Sequence, residues 1–243
     1  MGASEFEQAR EAEKDYHEKL YEERDILEPG SWMSKPLPFA MELLEKLLAD
    51  HPSPVVLDLG SGPGRNAIPI AQRLQEAGNG RIVGTDLLEQ AVEKLKENAA
   101  KFGVEDRVQA IQADVEQEAF EAETYDYVLA CGCLEHVSSE DALLRVIRKL
   151  QEATRPGGMH GLSMNTDLRE TVVETGEELP PQIELKLSED QTRALLEQAY
   201  EGWEVLLRSG HEVEIEEDKY DEPTEFKARN VVFAARKPCS IHR

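Results

Sequence analysis

The chain has 243 residues, 40% of them hydrophobic, and its 50 acidic against 27 basic residues give a formal charge of −23. Length and apolar content suit one large domain with a real core. The negative excess repels phosphate backbones and anionic bilayers, so neither nucleic acid nor a membrane is expected as a partner; its spread over every segment fits solubility or a salty habitat.

The first segment, residues 3 to 24, is dense in Glu, Lys and Ala, with Phe6, Tyr16, Leu20 and Tyr21 interspersed, and predicts a charged helix. Its acidic character lacks the basic start and apolar stretch of a secretory leader, and Phe6 stands where a myristoylation signal has Ser or Thr. No window holds the roughly 18 apolar residues of a membrane span, so a cytoplasmic protein is expected. After the breaks at Gly30, Pro36 and Pro38, a second helix is predicted to Ala49. From residue 54 apolar runs alternate with amphipathic ones. "PVVLDL", "RIVGTD", "RVQAIQAD", "YDYVLACG" and "GGMHGLSMN" read as buried strands. "NAIPIAQRLQEAG", "LEQAVEKLKENAAKFG" and "SEDALLRVIRKLQEAT" read as helices. This alternation predicts an α/β fold with a doubly wound, mostly parallel sheet. Between Asn165 and Leu187 periodicity fades, which predicts an active-site loop or lid. A helix from Ser188 to Tyr200 and an antiparallel hairpin, "EVLLRSGHEVEI" with "EFKARNVVFAARK", close the domain.

"VVLDLGSGPGRNAIPIA" joins a strand to a helix through three glycines, and such a turn brings backbone N–H groups and a positive helix end up to a ligand. Dinucleotide sites use G-x-G-x-x-G, but here the position of the last glycine is Arg65 and the pattern is D-x-G-x-G-x-G, from Asp58 through Gly60 and Gly62 to Gly64. With that motif the sequence resembles the class I S-adenosylmethionine-dependent methyltransferases. Asp86 closes "RIVGTD" where the family's ribose-binding acid lies, and Asp114 with Val115 in "QAIQADV" matches its adenine site. "YDYVLACGCLEHV" resembles its fourth strand, with Cys131 and Gly132 against the methionine part, and "TRPGG" resembles the turn before its fifth. The resemblance implies a seven-stranded Rossmann-like methyltransferase sheet over residues 38–237, an N-terminal helix and lid segment over 1–37, and a frayed tail over 238–243. It implies S-adenosylmethionine as cofactor and S-adenosylhomocysteine as product. Asp58, Gly60, Ser61, Gly62, Gly64, Asn66, Asp86, Leu87, Asp114, Val115, Cys131 and Gly132 would bind it.

More narrowly, "DYHEKLYEE", "LDLGSGPGRNAIPIA" with its Arg-Asn pair, "AYEGWEVLL" and "ARNVVFAARK" are similar to segments of the tellurite-resistance methyltransferases. That likeness implies a small-molecule acceptor with a soft tellurium, selenium or thiol nucleophile, and a monomer or homodimer. The alternatives are O-, N- or C-methylation of a metabolite, or a non-catalytic module that binds S-adenosylmethionine. The family's oxyanion-associated histidine and arginine do not align with "GHEVEIEEDKYDEPTEFKARN", whose candidates are His211, Lys219, Lys227 and Arg229.

A hydroxyl or amine acceptor needs its proton removed or its position fixed, and His136, just beyond the fourth strand, is the catalytic candidate. Tyr16, Tyr21 and Trp32 are candidates for a lid over cofactor and acceptor, with Arg65 pairing a lid carboxylate or orienting an acidic acceptor. His160 is expected in the core. Cys131 and Cys133 alternate along a strand end, so at most one should face the site. Three cysteines are too few for a disulfide framework, and a C-x-C pair without two further ligands is a poor zinc site, so no metal is expected.

Overall fold

The computed structural model describes residues 4–217, 220 and 222–239. Helix α1 spans Glu5–Glu23 and starts at a capping box, in which the Ser4 side chain accepts from the Glu7 N–H and the Glu7 side chain accepts from the Ser4 N–H. Pro38 opens α2 (Pro38–Leu48), where its fixed φ and missing N–H carry no penalty. Then come β1 (Val55–Leu59), α3 (Ala67–Ala77), β2 (Arg81–Asp86), α4 (Glu89–Lys101), β3 (Val108–Gln112), β4 (Tyr125–Cys131) and α5 (Glu140–Ala153). Gly78, at φ +153°, ends α3, and Ser139 caps α5 by accepting from the Ala142 N–H. The chain closes with β5 (Thr154–Val172), β6 (Glu178–Leu179), α6 (Glu189–Ala199), β7 (Glu204–Glu217) and β8 (Thr224–Arg236).

The main sheet runs β3-β2-β1-β4-β5-β8-β7, with β1 to β5 parallel and β8 antiparallel to both its neighbours. Strand order reverses between β1 and β4, and a ligand crevice opens beyond the carboxyl ends of the strands at such a point. One buried cluster packs α2, α3 and α4 against the sheet, and another packs α5 and α6 on the opposite face.

Two expectations need correction. The segment predicted as a loop from Asn165 begins as strand, because β5 continues to Val172 by pairing antiparallel with the distal half of β8, and β6 then pairs back on it. Hydrophobic alternation is weak there because only a small satellite cluster, Ile183, Phe226 and Ala228, is buried beneath it. "TRPGG" is an irregularity inside β5: Thr154 pairs with Tyr125 and Met159 with Tyr127, so the residues between loop out of the ladder. Of the tail expected to fray, Pro238 and Cys239 are described and residues 240–243 lie outside the described residues. Among the described residues no helix is long and apolar enough to cross a membrane.

Leu95 of α4 is fully buried, and its side chain fills the space that glycines leave at Gly64 and Gly84. Leu95→Ala should therefore lower unfolding free energy by about 2–5 kcal/mol in a urea titration.

Candidate functional site

The glycine turn carries positive φ at Gly60 (+64°), Gly62 (+52°) and Gly64 (+102°), a region that L side chains avoid. The first constraint on these glycines is internal. A Cβ at Gly60 would collide with Cys133, one at Gly62 would lie 3.0 Å from the Tyr21 hydroxyl, and one at Gly64 2.7 Å from Leu95. Several turn amides are also bonded within the protein. Ser61 N–H donates to the Thr85 carbonyl, Gly62 N–H to Asp86 Oδ2 at 2.8 Å, and Gly64 N–H to the Ser61 carbonyl.

Asp58, at the end of β1, is 1% exposed, and its Oδ2 is buried without a hydrogen-bond partner. Burial, reinforced by the Asp86 charge and opposed by Arg65, raises its pKa to about 8. A buried carboxylate without a partner is unfavourable, and an ammonium group set against it would remove that cost. Ser61 Oγ is likewise buried and unpaired. Asp86 uses one lone pair of each carboxylate oxygen, on Gly62 and on the Leu88 N–H at 3.0 Å, so each oxygen retains capacity for a ligand hydroxyl. Beyond it Leu87 is 41% exposed, a large apolar side chain that lines the cavity along with Val115 and Asp114. Asp114 Oδ1 accepts from the Glu116 N–H, which makes it a turn cap as well as a lining residue. Gly132, at φ +65°, has open space where a Cβ would lie.

Gly60, Ser61, Gly62, Asp86, Leu87, Asp114, Val115 and Gly132 border one cavity of about 1450 Å³, with Asp58 and Gly64 behind that lining; it is larger than the roughly 300–1,000 Å³ of a single-ligand pocket and therefore roomy enough for a cofactor and an acceptor. Both Cys131 and Cys133 line it, against the expectation that at most one would: Cys131 ends β4 and Cys133 turns back over Gly60. Burial raises both thiol pKa values, so neither is a thiolate nucleophile. The aromatic cover is assembled as well. His17 stacks on Tyr21 (centroids 5.5 Å apart) and meets Tyr16 and Trp32 edge-on. Arg65 takes a different partner from the carboxylate expected: its Nε donates to the Lys35 carbonyl and its guanidinium lies 5.4 Å from the Trp32 ring. Asn66 accepts from the Leu37 N–H through Oδ1, tying α2 to the turn. His160 is in the core, bonded to Thr154 and Tyr200.

On the acceptor side His136 sits in a 3-10 turn, Leu134–His136, with Nδ1 2.7 Å from Glu184 Oε2. Arg10 of α1 reaches over to donate to Glu184 Oε1 at 3.2 Å and to the His136 carbonyl at 2.7 Å. Burial opposes charge on the His136 ring, but the Glu184 hydrogen bond and the charges of Glu13, Glu184 and Glu135 outweigh it and raise the pKa to about 9. The ring is then protonated at neutral pH, which favours orienting an acceptor over accepting its proton. Glu135 is 1% exposed; its Oε1 accepts from the Asn165 N–H and its Oε2 has no hydrogen-bond partner. The distal β7–β8 hairpin forms the far wall, with His211 and several glutamates lining the cavity. Lys227 pairs with Glu225 and Glu214, and Arg229 with Glu189, while Lys219 lies outside the described residues. Sequence reasoning missed Arg10, Glu13, His17, Glu135 and Glu184. The only signal in the sequence was the spacing of Arg10, Glu13 and His17, which puts them on one helix face.

Residues 56–158 match the methyltransferase domain family. The ribosomal protein L11 methyltransferase of Pelobacter propionicus is 36% identical over 139 residues, 56% of this chain and 41% of that protein. The tRNA 5-carboxymethoxyuridine methyltransferase of Escherichia coli is 29% identical over 170 residues, 64% of this chain and 61% of that one. The chain thus spans between two fifths and two thirds of the length of these relatives. Among solved structures, TehB from Haemophilus influenzae superposes with a TM-score of 0.59 at 18% identity, covering 81% of this chain and 62% of that one. Residues 56–158 are thus similar to a methyltransferase domain, and the fold is shared with solved structures of S-adenosylmethionine-dependent methyltransferases.

Proposed function

We propose that the protein transfers a methyl group from S-adenosylmethionine to a small-molecule acceptor, leaving S-adenosylhomocysteine. The observation that carries this reading is the buried, partnerless Oδ2 of Asp58 beneath the glycine turn. Asp58 adjoins Leu59 and Gly60 of the cavity lining, where an ammonium group of the cofactor would draw the carboxyl into its ionised form, directly or through water, and the next strand end offers Asp86 to ribose hydroxyls. When bound, the cofactor supplies a methyl carbon already activated by its sulfonium, so the protein's task is to orient the acceptor in line with it. The residues placed for that are His136, held by Glu184, and the wall formed by β5, β7 and β8.

Support for a small acceptor comes from the cover: α1 and the turn at Trp32–Ser34 contribute Tyr16, Tyr21 and Trp32 to the cavity lining and so roof part of it. Glu13, Glu135, Glu184, Glu212, Glu214 and Glu216 line it too, and this balance favours a neutral or cationic acceptor over a tellurite or selenite anion.

Calorimetric titration with S-adenosylhomocysteine should give saturable heat where NAD gives none; the reverse would refute the reading. Asp86→Asn, which keeps one acceptor oxygen, should weaken S-adenosylhomocysteine binding by about tenfold or more. Because Asp58 holds its proton up to about pH 8 in the free protein, the ammonium ligand must displace it. Affinity should rise with pH toward 8, by about tenfold per unit at most, then level off, with proton release measurable in buffers of different ionisation enthalpy. The groups acting on Asp58 are Asp86 and Arg65, with Cys131 and Tyr127 beside it. The same raised pKa means that Asp58 favours folding below its ordinary 3.8, and that this contribution is lost as pH rises through 8. An acceptor screen should yield S-adenosylhomocysteine with amines, phenols or thiols and none with tRNA or ribosomal protein. Product with tRNA or ribosomal protein alone would place the acceptor among macromolecules.

A further inference from the structure

We infer that Glu13, His17 and His136 form a binding site for a divalent transition-metal ion, of the kind of zinc, cobalt or iron(II), between the covering helix and the turn after β4. One ligand atom from each of the three lies within 4.8 Å of the others. Glu13 and His17 are four residues apart on α1 and so share a face, while His136 arrives from more than a hundred residues away on the sheet side.

The surroundings are those of a metal-ligating histidine. Nδ1 of His136 is bonded to Glu184, and Glu184 is itself held by Arg10, which also fixes the His136 carbonyl. A carboxylate behind one ring nitrogen sets the tautomer and orientation and leaves Nε2 for the ion. His17 Nε2 lies 3.2 Å from Glu13 Oε2, and its Nδ1 is buried without a hydrogen-bond partner. Two imidazoles and one carboxylate suit borderline first-row ions better than magnesium or calcium, which prefer oxygen ligands throughout. Three protein ligands leave coordination positions open, and all three residues line the cavity. An oxygen, nitrogen or sulfur atom of the acceptor would complete the shell. Only that last consequence rests on the methyl-transfer reading; metal binding is measurable without it.

The test uses the full chain stripped with a chelator and titrated with Co²⁺. One equivalent should bind with visible d–d bands that Zn²⁺ displaces, and Zn²⁺ should raise the thermal midpoint. His17→Ala and His136→Ala should each lose the bands, Glu184→Gln should weaken binding by about 10–100-fold, and His51→Ala, at an exposed histidine, should change nothing. S-adenosylhomocysteine titrated into Glu184→Gln should bind as in the parent, so loss of cofactor binding and loss of metal binding are read separately. Absence of saturable Co²⁺ binding in the parent chain, or binding that survives both histidine variants, would overturn the inference.

Discussion

A carboxyl group held away from water, one of its oxygens without a hydrogen-bond partner, is the constraint around which the site is arranged. Asp58 is the next-to-last residue of β1, which lies between β2 and β4, and its Oδ2 meets no donor among the described residues. The protein tolerates this by keeping the carboxyl protonated to about pH 8, so the cost falls on the ligand-free state and is relieved by a cation. The glycine turn above it serves the same end. Its positive-φ backbone folds Cys133, Tyr21 and Leu95 in close, and the turn is thereby braced from the strand, the cover and α4 at once.

From that point the cavity divides by charge. One half is bounded by Asp86 and the apolar pair Leu87 and Val115, with Asp58 behind Leu59 and Gly60, a set suited to two hydroxyls, a flat base and an ammonium. The acceptor half holds the Arg10–Glu184–His136 chain, in which each member fixes the next. Extension of β5, β7 and β8 beyond the parallel core builds the wall of this half, which therefore belongs to the antiparallel part of the sheet.

Much of this was legible in the sequence. The strand-turn-helix rhythm from Val55 to Ala153 is written in apolar runs and capping residues, and D-x-G-x-G-x-G with Asp86 and Asp114 names, from residue types alone, residues of which the fold brings Gly60, Gly62, Asp86 and Asp114 to one cavity. The reason for the glycines was not legible: a motif says that Cβ atoms are missing, whereas only the fold says that Cys133 and Tyr21 occupy their places. Nor was the strand from Asn165 to Val172, because a two-sided polar ribbon carries no alternation to read. The acceptor half escaped most fully. Glu184 lies in a stretch without periodicity, and Glu13 looks like any other acid in a helix crowded with them. Arg65 was visible, but its partner was not, because a backbone carbonyl and an indole face leave no trace in a charge pattern.

Helix α1 buries little: Ala9, Glu13 and Tyr21 are its only buried side chains among the described residues. Two of those three face the cavity, and the helix is held across it by Arg10 and by the stacking of His17 on Tyr21. Such a helix sits at the low end of the protein's range of local stabilities, since little apolar surface resists its release. The groups that roof the cavity are also the groups that furnish it. Were α1 to lift, its polar furniture would leave with the cover, so access to the cavity and assembly of its lining would be coupled. Any residue change that loosens one will loosen the other.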